Sequence, residues 1–258
     1  MTRIIASRKL FLLAATLFAA FLTLSQGASA AEPQDVAAAV RAKLDKSQYK
    51  NVQVSVDANG IAALSGTVSL YEYKDDADKT VHKVKGVTAV RNDIAVSGPS
   101  VPDSQMQKNL VEKLTYDRVG YGNVFDAITV RVQNGVITLG GHAHNYPNRD
   151  SALGLVASTP GVKDVVDEIS VDPVSPMDDG IRVEVARAIY SFPTLNRYAI
   201  DPAMPIRISV QNGNVALYGV VDSVADKEAA FIRANGVPGV FSVKNYLEVA
   251  NQPGEKQK

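Results

Sequence analysis

The hydrophobic pattern of this chain changes period and changes back within one short stretch, and the whole sequence of changes occurs three times. Asp35 precedes Val36, Val40 and Leu44; Asp103 precedes Met106, Leu110 and Leu114; Asp178-Asp179 precede Ile181, Val185 and Ile189. Residues at i, i+4 and i+8 share one helix face, and an acid at the start suits the free amides and dipole there. Each copy therefore predicts an amphipathic first helix. The period then falls to two: Ile128, Val130 and Val132 alternate with Thr129, Arg131 and Gln133, as in a strand with one buried face. Asn134-Gly135 supplies the positive backbone angles of a tight turn, and Ile137 and Leu139 restore the buried side on the return strand. The first copy reads Val56-Asp57-Ala58-Asn59-Gly60, one residue more than Val132-Gln133-Asn134-Gly135, so its turn should be longer.

A helical period returns next. Ala77, Val81 and Val84 match Ala152, Val156 and Thr159, and these match Ala230, Ala234 and Val237. Gly86, Gly161 and Gly239 then stand where a helix-ending glycine is expected. The last segment, such as Val165 to Val171, reads as a third strand, and a helical crossover returns it most simply parallel to the strand before the helix.

The copies keep one internal spacing. Asn59-Gly60, Asn134-Gly135 and Asn212-Gly213 begin at positions 75 and 78 residues apart, each followed by a return strand that ends on Gly66, Gly141 or Gly219. Twenty residues after each of these comes Gly86-Val87, Gly161-Val162 or Gly239-Val240. The chain is a tandem array. Its predicted class is α+β: three αββαβ modules, each a small mixed three-stranded sheet with two helices on one face. The other sheet face stays polar or packs on a neighbouring repeat. The modules are expected over 31–98, 101–172 and 177–250, joined by linkers rich in proline and serine and followed by a polar tail over 251–258.

Residues 1–30 stand apart. Arg3, Arg8 and Lys9, an apolar run from Leu10 to Leu24 and Ala28-Ser29-Ala30 together predict a cleaved secretory signal peptide. No later stretch is long and apolar enough to cross a bilayer. Without the leader, 228 residues remain, about 76 per repeat, a size whose core is thin. The formal charge of zero becomes about −3, because the leader removes three of 27 basic residues and none of 27 acidic ones. Nucleic acid is thereby disfavoured as a partner. With no cysteine, the modules must hold by packing alone. A soluble export is expected, periplasmic in a cell with two membranes and extracellular in a cell with one.

The order of elements, the Asn-Gly turn, the Leu-x-Gly that ends the second strand and the Gly-Val that follows resemble the BON domain, a family found in osmotically induced periplasmic proteins and nodulation-related proteins. The resemblance covers nearly all of the mature chain as three copies. It implies an exported αββαβ module associated with the bacterial cell envelope, binding phospholipid surfaces or other envelope components, with no shared catalytic residues to carry over.

The copies differ most between the first helix and the first strand. Leu44 lies 15 residues before Asn59, whereas Leu114 lies 20 before Asn134 and Ile189 lies 23 before Asn212. The inserts carry Tyr116, Tyr121 and Phe125 in the second copy and Tyr190, Phe192 and Tyr198 in the third. These six aromatics are the candidate membrane or partner contacts, since Tyr and Phe suit such boundaries. The alternative is that they fold back to thicken a thin core or join repeats. His142 and His144 offer two imidazoles on one strand face, but no third ligand is spaced to join them except Asp150 or a residue of a distant repeat, so no metal or cofactor is expected. Lys79, His82, Lys83 and Lys85 follow Asp75, Asp76 and Asp78, which reads as a solvated helix face. The chain lacks a thiol, a nucleophile elbow, a phosphate loop and a zinc helix. The expectation is a non-catalytic envelope protein that binds phospholipid surfaces peripherally. The rival is a periplasmic scaffold or chaperone-like protein that binds protein or peptidoglycan, and a hydrolase resting on the histidine pair ranks third. The residues do not indicate an oligomeric state.

Overall fold

The computed structural model describes residues 32–116 and 121–250, with the side chains of 121 and 122 excepted. The leader and the tail lie outside the described residues.

In the first module, α1 (Pro33–Lys43) leads through a 3-10 turn (Ser47–Tyr49) to β1 (Val52–Val56) and β2 (Ile61–Val68), then α2 (Tyr71–Val81), β3 (Ala89–Asn92) and β4 (Ala95–Val96). The second runs α3 (Asp103–Tyr116), α4 (Tyr121–Phe125), β5 (Ala127–Gln133), β6 (Val136–Ala143), α5 (Tyr146–Ala157), β7 (Asp164–Asp167) and β8 (Ser170–Val171). The third runs α6 (Pro176–Tyr190), α7 (Arg197–Ile200), β9 (Arg207–Gln211), β10 (Asn214–Val221), α8 (Val224–Asn235) and β11 (Ser242–Val249). The predicted order is present three times, and the inserts of the second and third copies form α4 and α7.

In each module the second strand is central. It pairs antiparallel with the strand before it and parallel with the one after the second helix. The parallel register is constant, but in the first two modules the ladder lapses between Leu64↔Asn92 and Thr67↔Ala95, and between Leu139↔Asp167 and His142↔Ser170. Every residue of the two helical patterns is buried, from Val36, Val40 and Leu44 to Ala230, Ala234 and Val237. Ala77, Ala152 and Ala230 have no exposed surface, and so small a residue lets the second helix lie close. A larger side chain there would cost about 1–3 kcal/mol in overpacking.

The hairpins follow their sequences. Asn134 and Gly135 have φ of 54° and 80°, and Asn212 and Gly213 have φ of 51° and 74°, as a two-residue turn requires. The first module uses a longer loop between β1 and β2. There Asp57 holds its own turn, accepting from the amides of Asn59 and Ile61 at 2.9 and 2.8 Å.

Three expectations need correction. The return strand does not end on Gly66, Gly141 or Gly219 but runs two residues further, to Val68, Ala143 and Val221, because the ladder continues past the glycine. The other two concern the helix-start acids and the later glycines. The acids Asp103 and Asp178 do more than face their own helix starts, because their carboxylates reach across to the hairpin. Asp103 accepts from the amides of Asn134 and Gly135 at 2.6 and 3.0 Å, and Asp178 accepts from those of Asn212 and Gly213 at 2.9 and 2.8 Å. The cap of α6 is Ser175, which accepts from the Asp178 amide at 3.2 Å. Hydrogen bonds to a charged acceptor contribute about 1.5–3 kcal/mol, so each acid pins first helix to hairpin. Thirdly, Gly86, Gly161 and Gly239 do not end the second helix, which stops at Val81, Ala157 and Asn235. They lie beyond it at φ of 96°, 92° and 90°. An added Cβ would come 2.8 Å from Val36, 2.9 Å from Met106 and 3.3 Å from Ile181, three equivalent residues in the first helices. The glycine is needed because the loop passes directly over the start of the first helix.

The first and second modules touch through α2 and α5. Tyr71 of α2 packs on the second core, where burial, with Asp164 nearby, pushes its phenol up to about 12.

Substitutions of glycine should separate these roles. Gly141 has φ of 84°, and a Cβ there would sit 2.0 Å from the Ala127 carbonyl oxygen. Gly141→Ala should therefore destabilise the chain by at least about 2 kcal/mol in urea denaturation. Gly154, mid-helix in α5 with nothing within 4 Å, should give the opposite sign, and Gly154→Ala should stabilise by about 0.5–1 kcal/mol.

Candidate contact surface between the inserts

The third module opens on a buried ion pair. Asp172, directly after β8, is 2% exposed, and Arg182 of α6 is 1% exposed. The Arg182 guanidinium donates to Asp172 Oδ2 at 2.9 Å, to the Val210 carbonyl at 2.8 Å and to Asp179 Oδ1 at 2.5 Å. Asp172 also accepts from Ser209 Oγ at 3.2 Å and Gln211 Nε2 at 2.9 Å on β9. The outer face of the third sheet thus receives the end of the second module. His142 of β6 lies against Tyr218 of β10, ring centres 5.9 Å apart.

The inserts complete this junction. Phe125, the last residue of α4, is buried in the core of the third module with Ile189, Tyr198 and Ile206. Tyr198 is buried as well: its hydroxyl donates to Asp226 Oδ2 at 3.1 Å and accepts from the Asp222 amide at 2.8 Å. Burial raises its phenol above the ordinary range. Arg197 lies 5.0 Å from that ring centre and donates to Asp226 at 2.5 Å, which ties α7 to the start of α8. Tyr190 is half-buried, donates to the Ile206 carbonyl at 2.7 Å and is raised by burial. Phe192, also half-buried, has the Arg233 guanidinium 5.5 Å from its ring centre.

Of the six candidate aromatics, Phe125 and Tyr198 are core residues, because a module this small needs their apolar area. Tyr190 and Phe192 line its margin, and Tyr116 is exposed at the end of α3. Tyr121 opens α4, and its side chain lies outside the described residues.

Burying these rings leaves a different set of residues on the outside. A hollow of about 510 Å³ opens between the inserts, lined on one side by Asn123 and Val124 and on the other by Tyr190, Ile200, Pro202 and Pro205. Ile200 is 76% exposed at its rim, and Met204, outside the lining but next to Pro205 in the chain, is 39% exposed. Ile200 extends the apolar lining of the hollow made by Val124, Ala199, Pro202 and Pro205 out to the surface. Ile200, Pro202, Met204 and Pro205 carry no signal in the aromatic pattern, and all four lie beyond the insert, which ends at Tyr198.

The other sequence candidates fall elsewhere. His142 Nδ1 lies 3.8 Å from Asp172 and His144 Nε2 lies 3.8 Å from Asp179, beyond hydrogen-bond length. Among the described residues no group of three or more His, Cys, Asp or Glu suits a metal ion. On α2, Lys79 pairs with Asp75 at 2.5 Å and His82 with Asp78 at 3.2 Å, as on a solvated helix face. Among the described residues no helix is long and apolar enough to cross a membrane.

Three αββαβ modules with a built junction and an apolar lip define a tandem-module protein. The chain belongs to the BON domain family: the family model matches residues 34–98, 102–173 and 194–251. It is 30% identical over 122 residues to osmotically-inducible protein Y of Escherichia coli (strain K12), across 47% of this chain and 61% of that protein. The chain therefore spans less than two thirds of that relative's length. Solved structures give remote likenesses. The C-terminal domain of CdsD, a structural protein of the type III secretion system of Chlamydia trachomatis, is 14% identical, covering 84% of this chain and 96% of that one with a TM-score of 0.23. The PrgH periplasmic domain is 9% identical, covering 78% and 95%, with a TM-score of 0.19.

The buried pair predicts an asymmetric response. Asp172→Ala leaves the Arg182 charge with only the half-exposed Asp179 as counter-ion and should cost up to about 3 kcal/mol in chemical denaturation. Adding Arg182→Met to Asp172→Ala should recover much of that loss, since neither buried charge then remains.

Proposed function

We propose that this chain is an exported, non-catalytic protein of the cell envelope, serving its maintenance or its response to stress, and that it attaches peripherally to phospholipid surfaces. Membership of the BON family and the osmotically inducible relative support the envelope and stress reading. The observation that carries the membrane reading is the lip between the inserts, where Ile200 and Met204 stand exposed beside Pro202 and Pro205. An exposed aliphatic pair on a short helix and its following loop gains by entering acyl chains, at about 25 cal/mol per Å² of apolar surface removed from water. Asp201 also lines the hollow. An acid at that position does not favour anionic headgroups, so apolar insertion rather than charge drives this contact.

Vesicle co-sedimentation tests it. Neutral phosphatidylcholine vesicles should pellet the purified protein about as well as vesicles with anionic lipid, with little dependence on salt. Ile200→Ser with Met204→Ser should reduce the bound fraction severalfold while the circular dichroism spectrum stays unchanged. Pelleting that requires anionic lipid and falls with salt would move the contact to a basic face. An absence of pelleting on either lipid would replace the membrane with a protein or peptidoglycan partner.

A further inference from the structure

The third sheet has one covered edge and one open edge. Its strand order is β9-β10-β11, and β9 lies against α4 and β5 of the second module. Strand β11 pairs with β10 alone among the described residues, over all eight residues from Ser242 to Val249. Val243, Leu247 and Val249 turn to the core. Lys244, Tyr246 and Glu248 share the outer face, and all three are exposed, Tyr246 by 37%. Neither Lys244 nor Glu248 has an ion-pair partner among the described residues.

An unpaired strand edge is a template for another strand. Which strand it accepts is set by side chains directly opposite. The run Lys244-x-Tyr246-x-Glu248 is complementary to itself when reversed. If two such strands run antiparallel with Tyr246 opposite Tyr246, each Lys244 faces a Glu248, and residues 243–249 of both copies enter the ladder. The strand geometry agrees. Residues on alternate sides of a strand send their amides and carbonyls in opposite directions, so Asn245 would exchange both main-chain bonds with Leu247 of the other copy. Among the described residues the Leu247 amide is held only by the Asn245 side chain, at 3.2 Å.

The other two modules are written against such pairing. At the place of Tyr246 the first has Asp93 and the second has Glu168, residues whose amides bond the matching Leu64 and Leu139 carbonyls. Self-pairing there would set acid directly against acid. Only the third module replaces the acid with an aromatic ring, and that ring ends a row: Tyr246 stacks on Tyr218 at 5.2 Å, and Tyr218 lies 5.9 Å from His142. A second Tyr246 would continue the row into its rotated copy across the twofold axis.

We propose that β11 pairs antiparallel with β11 of a second copy of this chain, forming a twofold dimer centred on Tyr246. The interface is isologous and closes on itself, so it yields a dimer and no filament. It uses no residue of the lip between the inserts and meets the junction only where Tyr246 stacks on Tyr218, so it stands apart from the membrane reading.

Sedimentation velocity over a dilution series of the purified protein should show a reversible monomer–dimer equilibrium. Lys244→Glu, which sets Glu against Glu248 twice, should raise the dimer dissociation constant about tenfold or more. Lys244→Glu combined with Glu248→Lys should restore it, and such restoration excludes misfolding as the cause. Tyr246→Glu, which copies the other modules, should give a folded monomer. Because the chain has no cysteine, Tyr246→Cys provides a second readout: opposed Cα atoms of about 4.5 Å at a non-hydrogen-bonded pair allow a disulfide. Mild oxidation should link Tyr246→Cys chains far faster than Phe241→Cys chains, although Phe241 is 81% exposed. A wild-type chain that stays monomeric at millimolar concentration overturns the proposal. So does a dimer that ignores the charge reversals, or equal cross-linking at both cysteine positions.

Discussion

A unit of about 76 residues buries a smaller share of the surface its unfolded chain exposes than a larger domain does, and this shortage of core governs how each module is built. Every device in the fold brings backbone closer or borrows apolar area. Ala77, Ala152 and Ala230 admit the second helix, and Gly86, Gly161 and Gly239 let a loop cross the first. The third module takes Phe125 from its neighbour and has the largest of the three cores. The second and third modules share a core residue and a buried ion pair, and the lip between the inserts is built over that junction. Tyr198 and Phe125 secure the two sides of the hollow from beneath, which fixes the position of Ile200 above it.

The module was largely legible because its determinants are local. Periods of four and two, two positive-φ turn residues and a parallel return strand follow from the positions of Val40, Ile137 and Asn134, and each of these is read without knowledge of the rest. Long-range determinants were misread where a local rule offered a sufficient account. An aspartate at a helix start is explained by capping, so the reach of Asp103 and Asp178 to a hairpin more than thirty residues away went unseen. A glycine after a helix is explained by termination, so its contact with the first helix was missed.

The contact surface was less legible, for a related reason. Repeats align on what they share, whereas a junction uses what differs. Arg182 stands where the other copies have Ala37 and Gln107, and Asp172 stands where the first has Ser97. Those departures were the available signal: a long charged side chain beside Ile181 on a buried helix face implies a buried partner. The inserts were found, but their aromatics were weighed as surface and core alike. A thin core decides that choice for Phe125 and Tyr198, and what remains outside is aliphatic.

Tandem copies carry a hazard that these differences also answer. Three sheets with the same strand order on one chain are held at high local concentration, and each open edge can pair with a wrong neighbour during folding. Asp93 and Glu168 place an acid at the centre of the first two edges, and like charges directly opposite disfavour pairing. Arg91 beside Asp93, at 2.9 Å, engages that acid locally without removing the bulk of two side chains from the edge. The third edge keeps the same backbone but carries Lys244, Tyr246 and Glu248, so it is matched to its own copy and to neither of the other two. The acids that disfavour pairing within the chain therefore also confine any pairing between chains to one strand.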